Sequence, residues 1–251
     1  MKTLVTGGAG FIGSHLCEAL VNRGDAIFVL DDLSTGRFEN IEHLDGITCV
    51  IDSTLNREIV RDLVREVDTV FHLAAAVGVE LVVNEPIRTI VNNIEGTQTV
   101  LEETCRYRRK LLITSTSEVY GKSPRKVFKE SDDLIIGPTS RTRWSYAASK
   151  AIDEFLALSY WHEKRHPVVV VRLFNTVGPR QTGRYGMVIP RFVQQALLNQ
   201  PLTVYGDGQQ TRCFTYVGDV VPALIALMER KDVNGEVFNI GSFHPVTIED
   251  L

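Results

Sequence analysis

The sequence has little of what marks secreted, membrane-spanning or metal-binding proteins. Its four cysteines stand at positions 17, 49, 105 and 213, and none has the spacing of a C-x-x-C motif or a metal site. Isolated cysteines of this kind are typical of buried thiols in a reducing compartment, which indicates a cytoplasmic location. No apolar run is long enough to cross a bilayer, and the N-terminus lacks a signal-peptide pattern. We therefore expect no bound metal and no membrane partner.

The chain also lacks an excess of basic residues. It has 27 Lys and Arg against 31 Asp and Glu, which gives a net charge of −4. Domains that bind nucleic acid usually carry a basic patch, so nucleic acid is not an expected partner. What the chain does have is 251 residues, of which 44% are hydrophobic. That is enough for one large or two modest domains with a sizeable core.

Short β-branched runs alternate with helical patterns through the first two thirds of the chain. The predicted strands are Thr3–Thr6, Ala26–Asp31, Thr48–Ile51, Thr69–Leu73, Leu111–Ser115 and Val168–Phe174. The predicted helices are Ile12–Arg23, Arg57–Val64, Pro86–Tyr107 and Tyr146–Lys164. Strict alternation with strands that are apolar throughout predicts an α/β fold, a doubly wound parallel sheet of the Rossmann type, over residues 1–174.

Glycine and proline become frequent after residue 175, which predicts a smaller lobe over residues 175–251 that binds the substrate. A strand at 237–240 is expected to return to the first domain. The last residues, Val246–Leu251, have the pattern of a helix start, with Thr247 as N-cap and acidic residues in the first turn. We therefore expect the smaller lobe to be incomplete at its C-terminus.

A glycine-rich turn follows the first predicted strand and precedes the first predicted helix. It has the pattern G-x-x-G-x-x-G at Gly7, Gly10 and Gly13. Glycines at these positions permit a tight turn and a close approach of the backbone to a pyrophosphate at the helix N-terminus. The sequence therefore predicts a dinucleotide site.

The ends of the next strands supply the other predicted contacts of the dinucleotide. Asp31 ends the second strand, where a carboxylate accepts hydrogen bonds from ribose hydroxyls and repels a 2′-phosphate, so NAD is favoured over NADP. Asp52 follows the third strand, within reach of an adenine. The predicted cofactor-binding residues are Gly7, Gly10, Phe11, Ile12, Gly13, Asp31, Asp32, Asp52, Ser53, Leu73, Ala74, Ala75, Tyr146 and Lys150.

Tyr146 and Lys150 lie four residues apart, so they share one face of a helix. A free phenol has a pKa of about 10, and an ammonium within about 4–6 Å lowers it by roughly 1–3 units. The pair is therefore predicted to act as a general base that takes a proton from an alcohol. An amphipathic helix with a surface Tyr and Lys is the structural alternative for this spacing alone.

Four motifs in order carry a resemblance to a known family. They are Thr6-Gly7-Gly8-Ala9-Gly10-Phe11-Ile12-Gly13, His72-Leu73-Ala74-Ala75, Ser115-Thr116-Ser117-Glu118-Val119-Tyr120-Gly121 and Tyr146-x-x-x-Lys150. Together they resemble the extended short-chain dehydrogenase/reductase family, the NAD-dependent epimerases and dehydratases of nucleotide sugars, over essentially the whole chain. The resemblance implies an enzyme in which Tyr146 takes the proton of a sugar C4 hydroxyl, Lys150 assists it and Thr116 hydrogen-bonds the same hydroxyl.

Within that family, Glu118 and Arg143 discriminate among the reactions that follow C4 oxidation. Many 4-epimerases have no carboxylate at the position of Glu118, whereas dehydratases and decarboxylases do. The segments around Glu118, Arg143 and Arg212 resemble UDP-glucuronate decarboxylases, in which Arg143 would bind the C5 carboxylate. The predicted catalytic residues are Thr116, Glu118, Tyr146 and Lys150, and the predicted substrate-binding residues are Ser117, Arg143, Asn175, Arg180, Arg184, Tyr205 and Arg212.

Several alternatives stay open at this point. UDP-sugar 4-epimerases also act through C4 oxidation, and those that use glucuronate need an arginine that Arg180 or Arg184 would supply. A 4,6-dehydratase and a non-catalytic dinucleotide-binding protein are the further alternatives, since the fold does not by itself imply activity. The family resemblance also implies a homodimer, formed through the helices Pro86–Tyr107 and Tyr146–Lys164.

Overall fold

In a computed structural model that describes residues 1–76, 79–182 and 187–251, the chain folds around one parallel sheet of seven strands. Its strands are β1 (Lys2–Thr6), β2 (Ala26–Asp31), β3 (Ile47–Ile51), β4 (Thr69–His72), β5 (Lys110–Thr116), β6 (Val168–Leu173) and β10 (Val237–Ile240). The spatial order is β10-β6-β5-β4-β1-β2-β3, and every neighbouring pair is parallel. The sequence-based prediction of a doubly wound Rossmann sheet is confirmed.

The strand order reverses between β1 and β4, which places a crevice at the carboxyl ends of these strands. Open α/β sheets bind ligands at such a switch point. The main helices are α1 (Phe11–Asn22), α2 (Arg57–Glu66), α3 (Val79–Asn84), α4 (Pro86–Arg106), α5 (Trp144–Lys164), α6 (Val188–Leu197) and α7 (Val217–Glu229). None of the described helices combines the length and the apolar content that crossing a membrane requires.

Both faces of the sheet are covered by helices. On one face, Leu16 and Leu20 of α1 and Val220 and Leu224 of α7 pack against strand residues such as Val171. On the other face, α2, α4 and α5 bury side chains against the strands, and α4 and α5 lie side by side. Burial on both faces explains why the strands are apolar throughout.

The remainder of the chain after β6 is built from short elements. These are β7 (Thr176–Val177), α6, β8 (Thr211–Cys213), β9 (Thr215–Tyr216), α7 and β11 (Pro245–Thr247). The strand expected at 237–240 is β10, which pairs with β6 at the edge of the large sheet. Helix α7 lies in the range assigned from sequence to the smaller lobe, yet it packs on the sheet beside α1. The division into domains 1–174 and 175–251 stays a prediction.

The helix start predicted after Thr247 stays a prediction, because the four residues that follow it are too few to form an α-helix. Thr247 ends β11, and the residues that follow form a turn. The Thr247 hydroxyl does accept a hydrogen bond from the Asp250 amide at 3.0 Å, as an N-cap would. The hydrogen bond of an N-cap is therefore present at Thr247, which also pairs with Thr211 in a two-stranded sheet.

Candidate functional site

A cleft of about 1500 Å³ runs across the carboxyl ends of the strands. Pockets for single drug-sized ligands usually measure about 300–1,000 Å³, so this cleft has room for more than one such ligand. Its lining includes the ends of β1, β2, β4 and β5 on one side and segments around β7, α6 and β8 on the other.

The glycine-rich turn forms the floor of the cleft at the end of β1. Gly7 has φ +72°, a left-handed conformation that favours glycine, and a Cβ there would lie 2.7 Å from the Ala74 amide nitrogen. A Cβ on Gly13 would lie 2.1 Å from the Gly7 carbonyl oxygen. The turn is therefore packed so closely against β4 and α1 that only glycine fits at these two positions.

Helix α1 begins directly after this turn, and no side chain caps its N-terminus. The first amides of a helix have no acceptor within the helix, so those of Phe11, Ile12 and Gly13 are available to an anionic ligand. All three residues line the cleft. This cradle fits the pyrophosphate of a dinucleotide.

Asp31 is buried at the end of β2 and is held by backbone donors. Its Oδ2 accepts from the Ala9 amide and its Oδ1 from the Leu33 amide, both at 2.9 Å. Burial raises the pKa of this carboxyl, and the two amides oppose that rise. Each carboxylate oxygen can accept more than one hydrogen bond, so Asp31 keeps acceptor capacity toward the cleft.

The other residues predicted to bind the cofactor lie along the same half of the cleft. Asp52 accepts from the Ser53 amide and from Asn56 at the start of α2. Asp32 accepts from the amide and the hydroxyl of Ser34. Lys150 is the one residue of that predicted set that does not line the cleft, and its side chain is buried. The residues of the set that do line it are Gly7, Gly10, Phe11, Ile12, Gly13, Asp31, Asp32, Asp52, Ser53, Leu73, Ala74, Ala75 and Tyr146.

The predicted catalytic residues converge at the ends of β5 and the start of α5. Thr116 ends β5, and its hydroxyl accepts from the Glu118 amide at 3.2 Å, which begins a short 3₁₀ helix, Ser117–Tyr120. Tyr146 lies in the first turn of α5 and lines the cleft with Thr116 and Glu118. Tyr146 is thus brought to the same cleft as Thr116 and Glu118, which precede it by about 30 residues.

The electrostatics of Tyr146 differ from the sequence-based prediction. Burial raises the pKa of its phenol above the usual range, the nearby charges of Glu118 and Asp153 raise it further, and the Thr116 hydroxyl opposes them. The predicted lowering of this pKa by Lys150 is not what this arrangement produces. Burial is the largest cause of the raised pKa, and the Lys150 ammonium bonds the Asp153 carboxylate at 2.8 Å.

Glu118 and Arg143 form the second charged feature of this wall. Burial raises the pKa of the Glu118 carboxyl, and the Arg143 guanidinium opposes that rise. Arg143 is held by stacking on the Trp144 ring at 4.7 Å, and the Trp144 ring in turn lies against Gly137. Arg143 therefore contributes a positive charge to the part of the cleft that contains the Glu118 carboxyl.

The predicted substrate residues divide into three groups. Ser117, Arg143, Asn175, Tyr205 and Arg212 line the cleft. Arg180 also lines it, but its guanidinium bonds Glu18 at 2.6 Å and Ser14 at 3.4 Å on α1. Arg184 lies outside the described residues.

Sequence reasoning missed two kinds of residue at this site. Arg88, Arg125, Lys126 and Arg191 add positive charge to the cleft, and the Arg191 guanidinium stacks on the Tyr205 ring at 4.6 Å. Asp153 was the other omission, although its position three residues after Lys150 places both on one helix face. Basic residues in loops carry no periodic signal, so only the folded chain brings them to the cleft.

A search for related proteins gives a consistent picture. The model of the family described as "NAD dependent epimerase/dehydratase family" matches residues 3–241. A UDP-N-acetyl-alpha-D-glucosaminuronate decarboxylase of Bacillus cytotoxicus is 46% identical, over 100% of this chain and 78% of that protein. UDP-glucuronic acid decarboxylase 1 of Arabidopsis thaliana is 39% identical over 100% of this chain, which spans 57% of that longer protein.

Solved structures add an epimerase to these decarboxylases. The UDP-glucuronic acid 4-epimerase of Bacillus cereus, in complex with UDP-glucuronic acid and NAD, is 37% identical and superposes with a TM-score of 0.86. The superposition covers 100% of this chain and 80% of that one. Relatives that catalyse two different reactions thus share this fold.

Proposed function

The chain belongs to the NAD dependent epimerase/dehydratase family, and from this premise we propose that it decarboxylates a UDP-uronic acid. The single observation that carries this choice is that Glu118 and Arg143 line the same cleft as Tyr146, with the charge of Arg143 acting on the Glu118 carboxyl. A uronic acid differs from a neutral sugar by its carboxylate. An arginine suits the binding of that carboxylate, and an acid of raised pKa suits the protonation of the carbon that loses it.

The first requirement is to hold the cofactor. The glycine turn and the α1 amides would bind the pyrophosphate, and Asp31 would accept hydrogen bonds from the adenosine ribose. NAD bound there supplies the acceptor for the hydride that leaves sugar C4. Asp31 disfavours a 2′-phosphate, because two negative charges would then meet in a partly buried site.

The second requirement is to remove the proton of the C4 hydroxyl. Tyr146 is the proposed base, and Thr116 is proposed to hydrogen-bond the same hydroxyl and to favour the ionised phenol. The loss of that proton and of the C4 hydride leaves a ketone at C4. General-base groups in such positions usually contribute about 10²–10⁴ in rate.

The third requirement is to handle the carboxylate on C5. Once C4 is a ketone, this carboxylate is β to a carbonyl, so its C–C bond breaks and the electron pair is delocalised onto the C4 oxygen. Arg143 would orient the carboxylate through a charge-assisted pair. Glu118, which lines the same cleft, would return a proton to C5. Reversal of the C4 hydride transfer then yields a UDP-pentose.

The deciding experiment is a product analysis by mass spectrometry. Purified protein is incubated with NAD and, in separate reactions, with UDP-glucuronate and UDP-N-acetylglucosaminuronate, the substrates suggested by the relatives' names. We expect carbon dioxide and a UDP-pentose from at least one of them. A product of unchanged mass with inverted C4 would instead establish a 4-epimerase, the second candidate, which the similarity to the Bacillus cereus enzyme favours.

Variants at Arg143 test the role of the charge. The substitution Arg143→Ala removes the proposed charge-assisted hydrogen bond to the substrate carboxylate, which contributes about 1.5–3 kcal/mol. KM for the uronic acid should therefore rise about 10–150-fold. Arg141→Ala is the matched control, because Arg141 is an exposed arginine of the same loop that does not line the cleft. Equal KM values for the two variants would contradict the proposed role.

We further propose that the chain forms a homodimer through α4 and α5. Large apolar side chains are exposed along these adjacent helices, and Ile87 and Phe155 are 78% and 69% exposed. Ile90 and Ile152 extend the same apolar surface. Burial of such side chains against a second copy is favourable by about 25 cal/mol per Å² of apolar surface. A cytoplasmic location stays a prediction.

A further inference from the structure

A buried ion pair beneath the catalytic wall has no part in the reaction as described. The Lys150 Nζ lies 2.8 Å from Asp153 Oδ2, and the exposed fractions of the two side chains are 2% and 0%. Tyr146 precedes Lys150 by four residues and Asp153 follows it by three, so both partners are within reach of the same ammonium along α5. The lysine side chain can therefore point toward the phenol or toward the carboxylate, and here it points toward the carboxylate.

Other elements pack around this ion pair, and the groups that they contribute beside it are mostly uncharged. From β4 comes His72, whose Nδ1 lies 2.7 Å from the Thr6 hydroxyl and whose Nε2 lies 3.1 Å from the Thr97 hydroxyl of α4. Burial, with a smaller contribution from Lys150, lowers the pKa of His72 to about 3, so this imidazole is neutral. Thr97 also favours the charged form of Asp153.

Two further carboxylates lie near this pair. Glu154, the neighbour of Asp153, is bound by the Arg172 guanidinium at 2.7 Å, so its charge is largely compensated. Glu118 faces Tyr146 from the 3₁₀ helix after β5. Asp153 Oδ1 has no hydrogen-bond partner among the described residues, although it is buried. Burying a carboxylate costs free energy unless the charge is paired, so the ion pair with the Lys150 ammonium stabilises Asp153.

We propose that Asp153 is a positioning residue that holds the Lys150 ammonium away from Tyr146 and so keeps the phenol protonated until Lys150 is drawn to another partner. The Asp153 carboxylate also acts on the phenol directly, because its negative charge disfavours the phenolate. This inference rests on the proposed function insofar as Tyr146 is taken to be the base. The basicity of Tyr146 then depends on whether the Lys150 ammonium bonds Asp153 or lies near the phenol.

The test compares Asp153→Asn with a matched control elsewhere in the fold. Asn keeps the size of the side chain and an acceptor for Lys150, but it removes the negative charge that competes for the ammonium. Glu103→Gln is the control, because Glu103 is also 0% exposed and pairs with arginines, Arg57 and Arg106, on the far side of α4. If the ion pair did not position Lys150, Asp153→Asn would shift Tyr146 only through the lost charge of Asp153, and the same shift would appear when Asp153→Asn is added to Lys150→Met. A shift that is larger in the presence of Lys150 is the result expected of a positioning role.

Ionisation of Tyr146 is read directly by ultraviolet difference titration of the protein as purified. Each variant is compared with the same variant carrying Tyr146→Phe, so that the signals of the other tyrosines cancel. For Asp153→Asn we expect the phenolate to appear at least about one pH unit lower than in the wild type, since an ammonium released toward the phenol lowers its pKa by roughly 1–3 units. Glu103→Gln should titrate as the wild type does.

The same shift is expected in the rising limb of the pH profile of kcat/KM. An unchanged titration of Tyr146 in Asp153→Asn, or a shift to higher pH, would overturn the proposal. The titration needs no substrate, so a protein that fails to turn over UDP-uronic acids would still give a clear answer. Asp153→Ser, which leaves room for a water beside Lys150, is the second variant, and failure of both variants to fold would also overturn a positioning role.

Discussion

Replacing Gly13 by alanine tests whether the glycine turn is as tightly packed as the structure indicates. The new Cβ would lie 2.1 Å from the Gly7 carbonyl oxygen and 2.8 Å from Gly8 Cα. Neither neighbour is free to move, because the Gly7 amide donates to the Leu30 carbonyl at 2.9 Å and its carbonyl accepts from Gly10 at 3.1 Å. Relief of the overlap therefore requires a shift of the turn or of α1.

Two opposing effects determine how much Gly13→Ala changes the free energy of unfolding. Gly→Ala within a helix stabilises by up to about 1 kcal/mol. Overpacking in a well-packed site costs about 1–3 kcal/mol, and sometimes more, especially where rigid backbone is the obstacle. We therefore expect a net loss of about 1–2 kcal/mol, which lowers Tm by roughly 2–8 °C for a chain of this size. A displaced α1 N-terminus should also weaken NAD binding at least about tenfold, which corresponds to about 1.4 kcal/mol.

Thermal unfolding and isothermal titration with NAD measure these two effects. Gly46→Ala is the control, because Gly46 has φ +82° but nothing lies within 4 Å of its added Cβ. Left-handed backbone alone costs about 1–2 kcal/mol, so Gly46→Ala should lower Tm without changing the NAD affinity. A Gly13→Ala protein with wild-type Tm and wild-type NAD affinity would refute the packing argument.

Three further predictions concern the base, the dimer and the dependence on pH. Tyr146→Phe should reduce formation of reduced cofactor from a UDP-uronic acid by about 10²–10⁴-fold in stopped-flow absorbance, while Tm changes little; turnover at the wild-type rate would exclude Tyr146 as the base. Phe155→Glu should convert the proposed dimer to monomer in light scattering, whereas Val127→Glu, exposed away from α4 and α5, should not. His72, whose pKa lies at about 3 in the folded chain, should make the protein less stable as pH falls below about 6.5, because the unfolded imidazole binds the proton more readily. The loss from His72 is about 2 kcal/mol at pH 5 relative to pH 8 in urea unfolding, and a His72→Gln protein that keeps the full slope would contradict this assignment.

Most of the fold could be predicted from sequence because its signals are local. The continuously apolar strands and the intervening helices follow from short-range periodicity, and β10, predicted at 237–240, is found at those residues. The role of α7 could not be predicted, since its apolar face does not reveal which layer it joins. The helix start expected after Thr247 stays a prediction, although the N-cap hydrogen bond is present.

Some residues of the candidate site could likewise be predicted from local sequence signals, and others could not. Gly7, Gly13 and Asp31 were found from sequence because strand ends and tight turns constrain the residue types that can stand there. Arg180 lines the cleft as expected, but its main partner is Glu18 of α1, a residue 162 positions earlier in the chain. Such pairings depend on how distant segments pack, and no local pattern encodes them.

By itself, the sequence determined that Tyr146 and Lys150 share a helix face beside a dinucleotide turn, since helical periodicity fixes which residues are neighbours along one element. Only the tertiary structure decided which neighbour Lys150 takes. A long, flexible ammonium side chain goes to the strongest competing charge, and packing against β4 and α4 buries Asp153 completely, which strengthens its attraction for that charge. The partner of Lys150 is thus set by burial, a property of the whole fold.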